Sequence, residues 1–212
     1  MNVVVVSDVH DSVAHAGALR RACEGAGALI VCGDFTTFGG ADEVQRVADA
    51  LRPEGVPCYF ITGNCDAVPA DVALAGCHNL HGRVVRLGPW LLAGVCGSLP
   101  CPAPTPREFK ETFYAQTLAS VRAEWGAQAE RLVIVSHQPP FGTAADLLPA
   151  GRHVGCHALR AFIDEVQPAF CFTGHIHEAA SRTRVGRTLL LNPGPFAKGR
   201  FAVVDLAEAA GA

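Results

Sequence analysis

The stretch VVVVSDVH, residues 3–10, joins an apolar run directly to an aspartate and a histidine. Four consecutive valines favour a buried β-strand, because β-branched side chains pack well on a pleated surface. Asp8 and His10 follow at the end of that strand. Open α/β sheets place their ligands at the carboxyl ends of strands, so the residues that follow the other strands decide what this edge binds.

The same arrangement recurs along the chain. Apolar runs end in polar residues in LIVCGD (29–34), CYFITGNCD (58–66), LVIVSH (132–137) and FCFTGHIH (170–177). The polar residues concerned are Asp8, His10, Asp34, Asn64, His137, His175 and His177. Each one alone is typical of a turn or of a packing histidine. Because four of the 9 histidines fall in this set, always after an apolar run, we interpret the set as ligands of shared metal ions.

Two metal ions fit these donors better than one. Four donors saturate a tetrahedral zinc, whereas a larger set with a carboxylate able to bridge suits two ions about 3.5–4 Å apart. Alternate residues on a strand share a side, so we expect both donors of Asp8-Val9-His10 to face the site and Val9 to face the core. Gly33 directly precedes a donor, and its missing side chain lets the backbone lie close to the ions.

The segments between the polar turns indicate an α/β domain. We predict helices over residues 14–23, 43–51, 107–125 and 159–165, hairpins over 84–98 and 182–191, and a last strand over 201–205. No internal repeat or linker divides residues 1–212, so we expect a single domain.

Composition excludes several classes of protein. The net charge is -3 and 17% of residues are charged, without a basic run, which disfavours long nucleic acid as a partner. No apolar run reaches the roughly 18 residues of a membrane span, and no basic region opens the chain, so we expect a cytoplasmic protein without membrane contact. The 9 cysteines are odd in number and lack a CxxC motif, which is typical of reduced cysteines.

The ordered elements DVH, GD, GNCD, SH and GHIH resemble the calcineurin-like metallophosphoesterase family over essentially the whole chain. The resemblance implies an α/β fold, a four-layer αββα sandwich of two mixed β-sheets flanked by helices. It implies that Asp8, His10 and His177 bind one divalent ion, that Asn64, His137 and His175 bind a second, and that Asp34 bridges both. It also implies two ions per chain, with Mn as our first expectation and Fe, Zn or Ni as alternatives.

The implied activity is hydrolysis of a small phosphoester by in-line attack of a hydroxide held between the ions. We therefore predict a metal-dependent phosphoesterase. Two alternatives stay open: a nuclease that uses the same site, and a metal-binding scaffold with little catalysis. A homo-oligomer also stays open.

Cys65 departs from the family pattern, because a histidine usually follows the asparagine. In the family that histidine contacts substrate and helps to protonate the leaving oxygen, with the next carboxylate, here Asp66, orienting it. A thiol neither reaches nor protonates as an imidazole does, so we expect leaving-group protonation to be handicapped. Some bacterial members of the family also carry GNCD and are associated with activated diesters, so the resemblance favours diesters with easy leaving groups. We count Asn64, His137, Cys65 and Asp66 as candidate catalytic residues. Covalent attack by Cys65, or metal ligation by it, remain weaker alternatives.

Two further features are candidates for roles near the site. Asp11 is interpreted as the N-terminal cap of the first helix, with a contact beside the metal ligands as the alternative. The long segment 137–157 is rich in proline and glycine, and such ordered loops often shape substrate pockets. Within it Arg152, His153 and His157 are candidate substrate-binding residues, with loop packing or subunit contact as an equal alternative.

Overall fold

The computed structural model describes residues 1–125 and 128–207. Its four α-helices are α1 (Ala16–Ala22), α2 (Ala41–Leu51), α3 (Glu111–Trp125) and α4 (His157–Val166). Its strands are β1 (Asn2–Val6), β2 (Ala28–Cys32), β3 (Cys58–Ile61), β4 (Cys77–Asn79), β5 (Val84–Leu87), β6 (Trp90–Val95), β7 (Leu132–Ser136), β8 (Phe170–Phe172), β9 (Ser181–Val185), β10 (Thr188–Asn192) and β11 (Ala202–Asp205). Among the described residues, no helix is both long and apolar enough to cross a lipid bilayer.

The strands form two mixed sheets. The first has five strands in the order β11-β1-β2-β3-β4, all parallel except the edge strand β11. The second has six strands in the order β5-β6-β7-β8-β10-β9, with β5 and β9 as antiparallel edges. The parallel strands of each sheet therefore end at a common edge, which is where their polar turns gather.

Side-chain alternation along the strands separates three hydrophobic layers. Val3 and Val5 of β1 belong to a cluster that also contains Val133 and Phe170, so it fills the space between the sheets. Val4 belongs to a second cluster with residues of α1 and α2. A third cluster joins β6, β7 and β8 to α3 and α4. The layers therefore follow in the order helices, sheet, sheet, helices, which confirms the αββα sandwich.

Most predicted elements are present, and two differ. Both predicted hairpins are confirmed, as β5–β6 and β9–β10. The helix expected from residue 107 begins only at Glu111, because Arg107 and Phe109 pair with Ser98 instead: Ser98 N donates to Arg107 O at 3.1 Å and Phe109 N donates to Ser98 O at 2.8 Å. The strand β4 was not predicted, since Cys77-His78-Asn79 is too short to show periodicity and contains two polar residues.

Candidate metal centre

The turns after β1, β2, β3, β7 and β8 bring the predicted donors together at one edge of the sandwich. The ligand atoms of Asp8, His10 and His177 all lie within 4.8 Å of one another. The same holds for Asp34, His137 and His175. Asn64 adjoins the second group, with its Oδ1 3.0 Å from His137 Nε2. The seven donors thus form two adjoining groups.

The backbone that presents these donors is not extended. Asp8, His10, Asp34 and His175 have φ of 56°, 46°, 53° and 69°, in the left-handed region that favours glycine. Strand alternation is therefore the wrong reason for the convergence of Asp8 and His10, although Val9 between them is fully buried as expected. The turn after β1 is instead held by Asp34, whose carbonyl accepts from Val9 N at 2.8 Å and His10 N at 3.0 Å. Such conformations cost energy and persist where surrounding bonds fix them.

In the first group, imidazole nitrogens and a carboxylate oxygen face one point. His177 Nε2 lies 3.3 Å from Asp8 Oδ1, and His10 Nε2 lies 3.2 Å from His177 Nε2. Asp8 is buried, and its carboxylate accepts from the backbone N of His175 at 3.1 Å. Two imidazole nitrogens this close, beside a carboxylate, suit a shared cation.

Asp11 supports this group from outside. The first residue before α1 is His15, which makes no side-chain capping bond, so the helix-cap interpretation of Asp11 is wrong. Asp11 Oδ2 accepts from Thr37 N at 2.9 Å, and Thr37 Oγ1 lies 3.3 Å from His10 Nδ1. A bond at Nδ1 fixes the ring, so Nε2 faces the group. Thr37 had no signal in the sequence, being one of two threonines in a loop.

In the second group, hydrogen bonds orient each donor atom. His137 Nδ1 lies 2.7 Å from the carbonyl oxygen of Cys32, to which it can only donate, and this bond orients Nε2 towards Asp34 Oδ2, 3.2 Å away. Asn64 Nδ2 donates to Thr105 Oγ1 at 3.1 Å, and Thr105 Oγ1 donates to Glu108 Oε1 at 2.8 Å. This chain leaves the Asn64 carbonyl oxygen for a cation. Neither Thr105 nor Glu108 was predicted.

Charges in the group favour a cation as well. Burial raises the pKa of Asp34, but the charge of His137 and its hydrogen bond outweigh burial and hold that pKa well below its usual range. Burial lowers the pKa of His137, and the Asp34 carboxylate outweighs it and raises that pKa to about 9. Burial and the charge of His137 lower the pKa of His175 to about 4, so this ring is neutral at neutral pH, as a metal ligand must be. The site therefore stabilises positive charge between Asp34 and His137.

The turn that carries Cys65 is fixed by two carboxylates. Cys65 N donates to Asp34 Oδ1 at 2.8 Å, and Cys65 Sγ lies within 4.8 Å of ligand atoms of His10 and Asp34. Burial, then the charge of Asp34, raise the pKa of the Cys65 thiol well above its usual range. Asp66 is fully buried, and accepts from Gly63 N at 2.9 Å and Thr36 N at 2.9 Å. The Asp66 carboxylate thus fixes the backbone of this turn through buried hydrogen bonds.

A cleft of about 560 Å³ adjoins the second group at His175. The predicted residues Arg152 and His153 line this cleft. The third residue predicted with them, His157, does not line it; the ring of His157 stacks on Phe141 with centroids 3.9 Å apart. The segment between β6 and α3 also lines the cleft, with Pro100, Cys101 and Pro102, and Cys101 Sγ lies 3.8 Å from His175 Nε2.

Comparison with models of known protein families identifies one family. The model of the calcineurin-like phosphoesterase superfamily domain matches residues 1–208. The uncharacterised protein MJ1162 of Methanocaldococcus jannaschii is 30% identical over 202 residues, which span 92% of this chain and 88% of that protein.

Solved structures share the fold at low identity. The protein TT1561 of Thermus thermophilus superposes with a TM-score of 0.71 at 15% identity, covering 98% of this chain and 95% of that one. The phosphopantetheinyl hydrolase PptH of Mycobacterium tuberculosis gives a TM-score of 0.59 at 16% identity, covering 92% and 89%. At such identities the likeness concerns the fold alone.

Proposed function

Since the chain belongs to the calcineurin-like phosphoesterase superfamily, which implies a hydrolase, we propose that it hydrolyses small phosphodiesters or nucleotides with two divalent metal ions. The observation that carries the proposal is the pair of donor groups that meet at Asp34. Asp34 Oδ2 lies 3.2 Å from His137 Nε2 in one group and 3.7 Å from His10 Nε2 in the other. A carboxylate in that position is the natural bridge between two ions.

The proposed ligand assignment follows the two groups. Asp8, His10 and His177 hold the first ion, Asn64, His137 and His175 hold the second, and Asp34 contacts both. Mn is our first expectation, and Fe, Zn and Ni suit the same nitrogen and oxygen donors. Bound there, the ions supply a hydroxide nucleophile at neutral pH and neutralise the oxygens of the phosphoryl group.

The protein's own residues orient the donor oxygens and bind the organic part of the substrate. Asp34 and Asn64 are held by Cys65 N and Thr105 Oγ1, so their oxygens do not have to reorganise when a phosphoester binds. The cleft beside His175 receives the organic part of the substrate, and its apolar walls, which include Leu99 and Ile176, exclude water from it.

The preference for easy leaving groups rests on Cys65, and the preference for diesters rests on the resemblance of GNCD to that of family members that act on activated diesters. Its sulfur lies at the site, yet burial and the charge of Asp34 keep it a thiol, which is a poor proton donor to a leaving oxygen. Substrates whose leaving groups depart without a proton do not depend on a donor at position 65, and should react best. Activated diesters belong to this class.

A metal and substrate panel tests the proposal. Protein stripped of metal and reloaded with Mn, Fe, Zn or Ni is offered cyclic nucleotides, linear diesters and monoesters, with metal content measured in parallel. We expect about two ions per chain and fastest turnover of linear diesters with activated leaving groups. Stoichiometric metal without hydrolysis of any ester would contradict the enzyme and favour a scaffold. Cleavage of single- or double-stranded nucleic acid ahead of small diesters would favour a nuclease.

Cys65→His is expected to raise turnover of substrates with poor leaving groups by roughly tenfold. A grafted imidazole recovers only part of the 10²–10⁴-fold that general acid catalysis supplies in an evolved site. Turnover of nitrophenyl diesters should change little, and metal content should stay the same. Cys65→Ser, which removes the thiol without adding an imidazole, is the control. An unchanged or slower rate on poor leaving groups in Cys65→His would contradict the leaving-group argument.

A further inference from the structure

His153 and Asp146 form a hydrogen-bonded dyad in the loop between β7 and α4. His153 Nδ1 lies 2.8 Å from Asp146 Oδ1. The Asp146 side chain is fully buried, whereas that of His153 is 35% exposed. Three backbone donors fix the carboxylate: Thr143 N at 2.7 Å, Gly155 N at 2.9 Å and Gly142 N at 3.1 Å. The His153 imidazole is therefore bonded to a carboxylate whose position is fixed by three backbone hydrogen bonds.

The dyad opens onto the cleft beside the candidate metal centre. His153 and His175 line the same 560 Å³ space, together with apolar residues that include Leu148 and Val154. Within residues 1–125 and 128–207, His153 Nδ1 is bonded to Asp146 and Nε2 has no hydrogen-bond partner. Nε2 of His153 is thus available to bond to a group in the cleft.

We propose that His153, oriented by Asp146, is the proton donor to the leaving oxygen of the phosphodiester. This inference rests on the proposed function. As a hydroxide oxygen bonds to phosphorus, the bond from phosphorus to the leaving oxygen breaks, and the Nε2 proton of the imidazolium moves to that oxygen. The ring becomes neutral and regains a proton from solvent. Asp146 accepts from Nδ1–H throughout, which fixes the orientation of the ring at the cleft.

Other side chains near the cleft are less suited to this role. Cys65 does not line the cleft, Arg152 carries a guanidinium, which does not serve as a general acid, and His157 is stacked on Phe141 away from the cleft. The dyad would explain how a chain with cysteine after Asn64 still protonates a leaving group.

His153→Gln tests the proposal through its dependence on the leaving group. With Mn-loaded protein, kcat is compared for methyl 4-nitrophenyl phosphate, whose leaving group departs as an anion, and methyl phenyl phosphate, whose leaving group benefits from a proton. We expect a loss of about 10²-fold on the phenyl ester, the lower end of general acid catalysis, and less than threefold on the nitrophenyl ester. The solvent isotope effect on kcat for the phenyl ester should also fall towards one.

Arg152→Gln is the matched control, because it changes the neighbouring residue of the same cleft without removing a proton donor. It should alter KM for both esters alike and leave their kcat ratio unchanged. An equal loss of kcat on both esters in His153→Gln, with metal content and Tm unchanged, would overturn the proposal and leave a positioning role. Absence of turnover by wild-type protein with metal bound would instead contradict the proposed function, so the two failures are distinguishable.

Discussion

Asp34→Asn is expected to lower metal content from about two ions per chain to at most one, and kcat/KM for an activated diester by on the order of 10³-fold. A bound ion stabilises transition-state charge by several kcal/mol, and each 1.4 kcal/mol is tenfold in rate. Asparagine keeps an oxygen that can accept from Cys65 N, so the turn after β3 should survive. What asparagine removes is the negative charge between His137 and His10.

Controls separate loss of metal from loss of fold. Glu24→Gln removes an exposed carboxylate just after α1 and should change neither metal content nor activity. Circular dichroism and Tm of metal-free Asp34→Asn report whether the sandwich is intact. Two ions bound with wild-type affinity in this variant would contradict a bridging role for Asp34.

The α/β character and most of the strands were predictable, because many strands are runs of valine, isoleucine and leucine with glycine and proline between them. The two-residue hairpin turn at Gly88-Pro89 was predictable for the same reason. The αββα sandwich was expected only from the resemblance to the family. The late start of α3 was not, since the competing bond partner, Ser98, lies on a different segment. Local pattern gives no information on a pairing between segments.

The convergence of the donors was also predictable, but not how they are held. Strand alternation is a local rule, and it fails after Val6, where the chain enters left-handed backbone stabilised by Asp34 carbonyl bonds from the neighbouring turn. Thr37 and Thr105 orient His10 and Asn64 from loops that the sequence does not connect to them. Such outer contacts depend on how loops fold over one another, and threonine in a loop carries no signal of them.

The roles of Arg152, His153 and His157 show the same limit. They lie close together in sequence, and the sequence predicts the same role, substrate binding, for all three. The structure separates them, because the loop turns between residues 153 and 157: two line the cleft and the third packs on Phe141. The partner that distinguishes His153, the buried Asp146, lies seven residues earlier and has no local motif.

Gly33→Ala is expected to lower the free energy of unfolding by about 3–4 kcal/mol and to weaken metal binding. Gly33 has φ of +97°, where an L side chain is strained by about 1–2 kcal/mol. An added Cβ would also lie 2.6 Å from Gly63 N and 2.7 Å from His137 Nδ1, and overpacking of this kind costs about 1–3 kcal/mol. At roughly 2–4 °C per kcal/mol for a chain of this size, Tm should fall by about 10 °C.

Gly55→Ala isolates the backbone contribution, because Gly55 also has positive φ, +73°, yet nothing lies within 4 Å of its added Cβ. We expect Gly55→Ala to cost about 1–2 kcal/mol and to leave metal affinity unchanged. The difference between the two variants then measures how tightly the turns after β2 and β3 approach each other around His137. Equal losses of stability would mean that the turns can separate at little cost. In that case the close approach of backbone at Gly33 would not be what positions His137, and the bond from His137 Nδ1 to the Cys32 carbonyl would have to do so alone.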